Sequence, residues 1–275
     1  MNGDQLDDVI IGAPHSSNQG RDMNGVAIII HGNAAASSTP TLDVGDLYGT
    51  ISSQGYAIYG ALEGGMLGSV VGSAGDINSD GLADAVVCAP AFFYDGRFNY
   101  GSVHVVFGSK SSRGDIDLAV VANYFIGRGF SIYGIISSSM ASPSLSTGDV
   151  NGDNISDLLI GSPNNFSGGI GGVYAIYGRH NSSVFSDLNL SLSLDESVGF
   201  HISGDVGFSA VFGAAVSCGD MDSDGIDDII IGDYMNQFTS TVRRGVVSIL
   251  YGVSGTRPSF TLNSSIDSNV GRIIY

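Results

Sequence analysis

Asp76, Asn78, Asp80 and Asp84 stand at positions 1, 3, 5 and 9 of one short segment, Asp-Ile-Asn-Ser-Asp-Gly-Leu-Ala-Asp. Alternate positions in a tight turn put their side-chain oxygens on one side, and the carbonyl of Leu82 at position 7 can join them. Hard cations such as Ca²⁺ take six to eight oxygens at about 2.3–2.6 Å, which this set reaches with one or two waters. Gly81 at position 6 supplies the positive φ of a sharp reversal, as does Gly225 in a second segment, and Asn154 tolerates that conformation in a third. These segments hold no histidine or cysteine, so zinc and copper are poor candidates. An EF-hand needs an acid at position 12 and flanking helices. Here position 12 is Val87, Ile160 or Ile231, each inside an apolar run, so that motif is excluded.

The pattern recurs. Four segments align without gaps and close on Asp8, Asp84, Asp157 and Asp228, a step of roughly 73 residues that marks an internal repeat. Two further series follow in phase. Glycine-bracketed apolar runs occur at 25–32, 101–108, 171–178 and 245–252, and Gly-aromatic runs begin at Gly55, Gly129 and Gly199, with Gly271 opening a related run. A weaker apolar stretch precedes each complete acidic segment, at 67–71, 140–147 and 211–216. Four short strands per unit, bounded by turn signals, predict an all-β, radially repeated propeller of four-stranded antiparallel blades. No apolar pattern of period 3.6 persists, which excludes helical solenoids.

The acidic loop, the Leu/Phe-Gly that precedes it and the apolar run closing in Gly-Ala-Pro together resemble the FG-GAP repeat of integrin α-subunit propellers. The resemblance covers essentially the whole chain. It implies Phe-Gly on the innermost strand, a calcium loop between strands 1 and 2, and Gly-Ala-Pro at the end of strand 2. It also implies Ca²⁺ at three complete sites: Asp76, Asn78, Asp80, Leu82 and Asp84; then Asp149, Asn151, Asp153, Ile155 and Asp157; then Asp220, Asp222, Asp224, Ile226 and Asp228. A partial site keeps only Asn2, Asp4, Leu6 and Asp8, with Gln5 in place of the glycine, and is expected to be weak or empty. Other departures are Met140-Ala-Ser-Pro143 where Phe-Gly belongs, and Gly232-Asp233 without Ala-Pro.

The resemblance divides the chain as one propeller segment: a partial blade at about 1–59, then 67–133, 140–203 and 211–275. Such propellers usually have seven blades, so the chain is expected to form an arc of a larger ring. Its end faces are expected to seek neighbouring blades or a second subunit.

The chain's 275 residues carry ten Lys+Arg against 27 Asp+Glu, a net charge of −17. That balance, with Lys110 as the lone lysine, argues against nucleic acid and against anionic membrane surfaces. No stretch approaches the ~20 apolar residues of a membrane span. Glycine, at 41 residues, is about twice its usual ~7%. Cys88 and Cys218 lie in apolar runs and are expected to be free, buried thiols.

Catalysis finds no foothold. The five histidines lack zincin spacing, His104 and His201 fall in strand patterns, and no Gly-x-Ser-x-Gly elbow occurs. The aspartates' fixed place in repeated loops also argues against paired glycosidase carboxylates.

Two loops could hold a ligand. In Phe92–Tyr100, residues Phe93, Tyr94, Arg97 and Tyr100 read either as an adaptable binding surface or as packing between blades. The loop from Tyr234 to Arg244, with Arg243, reads the same two ways. Arg113-Gly114-Asp115 spells an integrin-ligand tripeptide and is read as coincidence. Asn-x-Ser sequons at Asn154, Asn165, Asn181, Asn189 and Asn263 would suit a secreted glycoprotein.

The expected function is a non-catalytic, calcium-binding, extracellular or cell-surface module for adhesion to a protein or glycan ligand. The alternatives are an accessory propeller of a larger, phospholipase-like enzyme and a glycan-binding lectin.

Overall fold

A computed structural model describes residues 1–33, 54–90, 92–94, 97–99, 101–111, 113–120, 127–134, 143–163, 171–180, 185–190, 193–204, 211–234, 245–262 and 266–274. Among these residues every regular element is a strand. The first sheet holds β1 (Val9–Ala13), β2 (Val26–Ile30) and β3 (Gly55–Tyr59). The second holds β4 (Val70–Gly75), β5 (Asp84–Ala89), β8 (Ser102–Val106) and β10 (Gly129–Tyr133). Between β5 and β8 lies the small hairpin of β6 (Phe92–Tyr94) and β7 (Arg97–Asn99).

The third sheet holds β11 (Ser144–Gly148), β12 (Asp157–Ser162), β13 (Gly172–Ile176) and β15 (Gly199–Gly204). The fourth holds β16 (Ala215–Gly219), β17 (Asp228–Asp233), β18 (Val246–Leu250) and β20 (Gly271–Ile274). Within each sheet, successive strands pair antiparallel. The innermost strands β1, β4, β11 and β16 touch in that order, so the sheets fan out as a partial ring.

The second, third and fourth units also each lend a short strand backwards. β9 (Ile116–Asp117) belongs to the second unit but pairs parallel with β3. β14 (Leu188–Asn189) pairs in the same way with β10, and β19 (Phe260–Leu262) with β15. The sequence reading missed these fifth strands because two or three residues carry too little alternation to register as a strand.

Alternation along the strands explains why the runs are apolar throughout. On β5, Ala85, Val87 and Ala89 pack towards the first sheet, with Ile29, Tyr56 and Ile58. Val86 and Cys88 face the other way, onto Leu158, Ile160 and Tyr174 of the third sheet. On β12, Leu159 in turn joins Ile229, Ile231 and Leu250 of the fourth. A strand sandwiched between two like sheets has no face for water, so both registers are hydrophobic.

The apolar-Gly pair is a turn rather than part of the inner strand. Gly68 and Gly213 have φ of 87° and 86°, and β4 and β16 begin only at Val70 and Ala215. The turn lets the pair lie flat on the preceding sheet. There Gly12 faces the carbonyl oxygen of Gly68, and Gly161 that of Gly213, too close for any side chain on either strand glycine. Cys88 is buried as expected, and burial pushes its thiol up. Cys218 is only half-buried, because it lies on the inner strand and gives its Sγ–H to Thr147 O at 2.8 Å.

Gly161→Ala is expected to cost about 2 kcal/mol by overpacking. Gly232→Ala, at the matching position of β17 with Ala215 Cβ 3.3 Å away, is expected to cost far less. Chemical denaturation of the two variants checks the difference.

Candidate metal centres

The four acidic loops share one backbone path. Position 6 has positive φ in all of them: Gln5 67°, Gly81 85°, Asn154 62° and Gly225 89°. So does position 4: Gly3 77°, Ser79 56°, Gly152 73° and Ser223 66°. The sequence pointed to position 6, whereas at position 4 two serines hide the requirement. Gln5, read as a departure, follows the same path as the glycines.

Side-chain oxygens at positions 1, 3 and 5 enforce that path by capping the loop's own N–H groups. Asp76 accepts from the N–H of Asp80 at 2.9 Å and of Gly81 at 2.8 Å, while Asn78 Oδ1 accepts from Asp80 N–H at 3.0 Å. Asp80 in turn accepts from Leu82 N–H at 2.9 Å. Asp149, Asn151 and Asp153 repeat the arrangement, with Asn154 N–H on Asp149 at 2.7 Å and Ile155 N–H on Asp153 at 2.8 Å. In the fourth loop Gly225 N–H donates to Asp220 at 3.1 Å and Ile226 N–H to Asp224 at 2.8 Å.

Position 3 separates the loops chemically. Asn2, Asn78 and Asn151 each donate an amide N–H to the aspartate at position 5, at 2.9, 3.0 and 3.1 Å. Asp222 has no hydrogen to give. Asp220, Asp222 and Asp224 instead bring carboxylate oxygens within 4.8 Å of one another on the exposed surface. Three like charges at that separation repel, and an oxygen-only donor set of this charge suits a hard divalent cation.

The closing aspartates do different work. Asp84, Asp157 and Asp228 are fully buried. One carboxylate oxygen of each accepts the position-2 N–H, from Ile77, Val150 or Met221, at 3.0, 3.0 and 2.9 Å. The other accepts the N–H of the glycine after the third strand, Gly108, Gly178 or Gly252, at 2.8 Å. Each thereby staples its loop to the strand two places away. Asp8 does the same with Gly32 N–H at 2.9 Å, and the chain's terminal ammonium takes the position-2 post at 2.7 Å.

Burial pushes Asp84 up to about 7 and Asp157 to about 8, against the pull of their two N–H donors. Burial also acts to raise Asp8, but the ammonium and Gly32 N–H outweigh it and leave that group below the usual carboxylate range. The position-1 to position-5 carboxylates thus face solvent, while the closing carboxylate stands behind them.

The first three loops are also gripped by the following unit. Asp76 N–H donates to Ser156 Oγ at 3.3 Å, and Asp149 N–H to Asp227 Oδ2 at 2.9 Å. The position-2 carbonyls of Met1, Ile77 and Val150 accept from Ser109, Arg179 and Val253 N–H at 2.9, 2.9 and 3.4 Å. Further out, Asp115 accepts from Ala57 N–H and Tyr59 Oη–H, both at 2.9 Å. Arg113 donates to Phe107 O at 2.9 Å and lies over the Tyr56 ring. Arg113 and Asp115 therefore fasten the second unit to the first.

The aromatic loop residues are only partly placed. Phe93, Tyr94 and Arg97 fall on the β6–β7 hairpin, where Tyr94 pairs with Arg97. Tyr234 is exposed, whereas Tyr100 and Arg243 lie outside the described residues. Of the sequons, Asn154 is the position-6 residue of the third loop and Asn189 lies on β14. Asn165, Asn181 and Asn263 are outside the described residues. His104 is buried between Ser102 Oγ at 2.8 Å and Ser131 Oγ at 2.9 Å, and burial pushes it down to about 4. His201 stacks on Tyr174 and is lowered to about 4 for the same reason.

Residues 142–177, which run from the start of β11 through the third loop and β13, match the family model described as FG-GAP repeat. The chain carries the FG-GAP repeat. Curated relatives agree. It is 30% identical over 189 residues to phosphatidylinositol-glycan-specific phospholipase D of Rattus norvegicus, covering 67% of this chain and 20% of that protein. Against the Mus musculus counterpart the identity is 31% over 168 residues, covering 60% and 18%. Integrin alpha pat-2 of Caenorhabditis elegans is 28% identical over 174 residues, covering 58% and 12%. The chain thus spans a fifth or less of each of these relatives. The fold expectation holds: four sheets of FG-GAP type, arranged as a partial propeller.

Asp157→Ala leaves two buried N–H groups unpaired and is expected to cost about 3 kcal/mol in denaturant unfolding. Asp84 and Asp157 have folded values above the unfolded 3.8, so the metal-free fold binds extra protons at intermediate pH. Their stabilising contribution is full below about pH 4 and lost as pH rises towards 8. Thermal melts in chelator should therefore fall over that range.

Proposed function

We propose that the chain is a calcium-stabilised, non-catalytic propeller module that presents its loops to an extracellular protein or glycan. The observation that carries this reading is the convergence of Asp220, Asp222 and Asp224, a carboxylate triad whose repulsion a divalent cation relieves. The same backbone path in the loops of Asp76 and Asp149 supports two further sites with an asparagine oxygen at position 3. In each, the position-7 carbonyl, from Leu82, Ile155 or Ile226, completes the donor set. The first loop offers Asn2, Asp4, Leu6 and Asp8 from the same oxygen pattern.

The extracellular setting rests on the likeness to integrin alpha pat-2, and it agrees with the calcium levels that weak oxygen-cage sites require. Ligand contact would fall to loops remote from the metal, with Tyr234 and the β6–β7 hairpin as candidates. A second reading has its own support. The likeness to phosphatidylinositol-glycan-specific phospholipase D suits an accessory propeller attached to a catalytic domain. A glycan array separates a lectin-like surface from a purely protein-binding one.

Calcium should raise the melting temperature, with a stabilisation of about 2.7 kcal/mol per site at 100 times the dissociation constant. Asp222→Asn should weaken the tightest site while retaining the loop's path, since asparagine holds that post in the other loops. Melts at a series of calcium concentrations check both outcomes. A midpoint indifferent to calcium would remove the reading.

A further inference from the structure

We propose that the third and fourth acidic loops act as a coupled pair, in which Asp227 is the positioning residue that passes the state of the fourth loop to the third. This coupling rests on the calcium reading given above. Asp227 stands at position 8 of the fourth loop, beside the staple Asp228, and its side chain is not part of its own loop's donor set. It reaches into the third unit instead. Its Oδ2 accepts the Asp149 N–H at 2.9 Å, and its own N–H donates to Asp149 O at 2.8 Å. One residue of the fourth unit thus holds both main-chain groups of the third loop's position 1.

The grip continues along the loop. Val253 N–H donates to Val150 O at 3.4 Å, and Gly255 N–H to Asn151 O at 2.8 Å. Ile226, at position 7 of the fourth loop, closes on Gly152, where an added Cβ would lie 3.0 Å from its Cδ1. Positions 1 to 4 of the third loop therefore rest on the fourth unit. The junction between the second and third loops is built more lightly. There position 8 is Ser156, whose neutral hydroxyl stands 3.3 Å from the Asp76 N–H. A hydrogen bond to a carboxylate is roughly twice as strong as a neutral one.

Asp220, Asp222 and Asp224 repel one another on the exposed surface. A loop under that repulsion opens at lower cost than one in which it is neutralised. Opening displaces Ile226, whose N–H is capped by Asp224, and with it Asp227. The Asp149 N–H then loses its acceptor. The Asp149 carboxylate, which caps the Gly152, Asp153 and Asn154 N–H groups at 2.7, 3.1 and 2.7 Å, loses its footing. Neutralising the fourth loop consequently pre-forms the third, and linkage makes the effect reciprocal.

The test follows hydrogen exchange of the full chain by mass spectrometry across a calcium titration, with separate peptides for 76–84, 149–157 and 220–228. The double substitution Asp222→Asn with Asp224→Asn removes two charges from the fourth loop and keeps an oxygen acceptor at each post. It is expected to raise the calcium concentration that protects 149–157 by about fivefold or more, and to move 76–84 far less. Asp153→Asn should shift 220–228 by a similar factor in return. Asp227→Ser installs the residue that holds this post in the third unit, so the fold is kept. In that background the double substitution should no longer shift 149–157. Asp227→Asn, which keeps the acceptor without the charge, should give a smaller shift than the natural residue.

A midpoint at 149–157 that ignores the double substitution overturns the coupling and leaves the calcium reading intact. A shift that survives Asp227→Ser assigns the effect to charge acting through space and overturns the role of Asp227. Exchange indifferent to calcium in all three loops defeats the calcium reading itself, and the coupling with it.

Discussion

A buried carboxylate held by two main-chain N–H groups is the constraint from which the rest of this structure follows. Asp84, Asp157 and Asp228 each join the start of a loop to a glycine at the end of the third strand. Removing such a group from water without partners costs several kcal/mol, so the two donors must be in place whenever the loop is. The staple fixes the loop on the sheet, and the sheet then decides where the side-chain oxygens of positions 1, 3 and 5 point. Those oxygens cap the loop's own N–H groups, which leaves lone pairs facing outwards in a set without nitrogen or sulfur. An oxygen-only set of this kind suits a hard cation.

The second constraint is steric. Sheets that bury both faces must approach closely, and the glycines of the second strand make room for the next unit's turn. Gly12 and Gly161 permit contact with Gly68 and Gly213 that no side chain would allow. Close approach then brings the next unit's residues within reach of the loop, where Ser156 or Asp227 caps the position-1 N–H. Acidic loop and blade interface are thus one connected structure. Disturbing either is felt by the other.

Much of this was legible in the sequence, for definite reasons. The loops could be read because oxygen-bearing residues at alternate positions have few structural uses besides capping and cation binding. The strands could be read because Gly-bracketed apolar runs recur in phase. What stayed hidden depends on partners far along the chain or on main-chain donors that no residue type announces. The closing aspartates are read as ligands, and nothing in their residue type announces that they also accept the N–H groups of residues as unlike as Ile77, Val150 and Met221. The post beside the position-1 N–H is filled by Ser156 in one unit and Asp227 in the next. The residue that fastens each lent strand is Asp115, Asp187 or Ser259, three positions whose common role appears only when Ala57, Ser131 and His201 N–H groups are seen pointing at them.

The most direct measurement of the central claim is calcium stoichiometry by equilibrium dialysis at neutral pH. The account predicts three ions per chain, held by the loops of Asp76, Asp149 and Asp220. A chain that binds no calcium at millimolar concentration, while its sheets remain folded, would show that the loops are capped turns and nothing more.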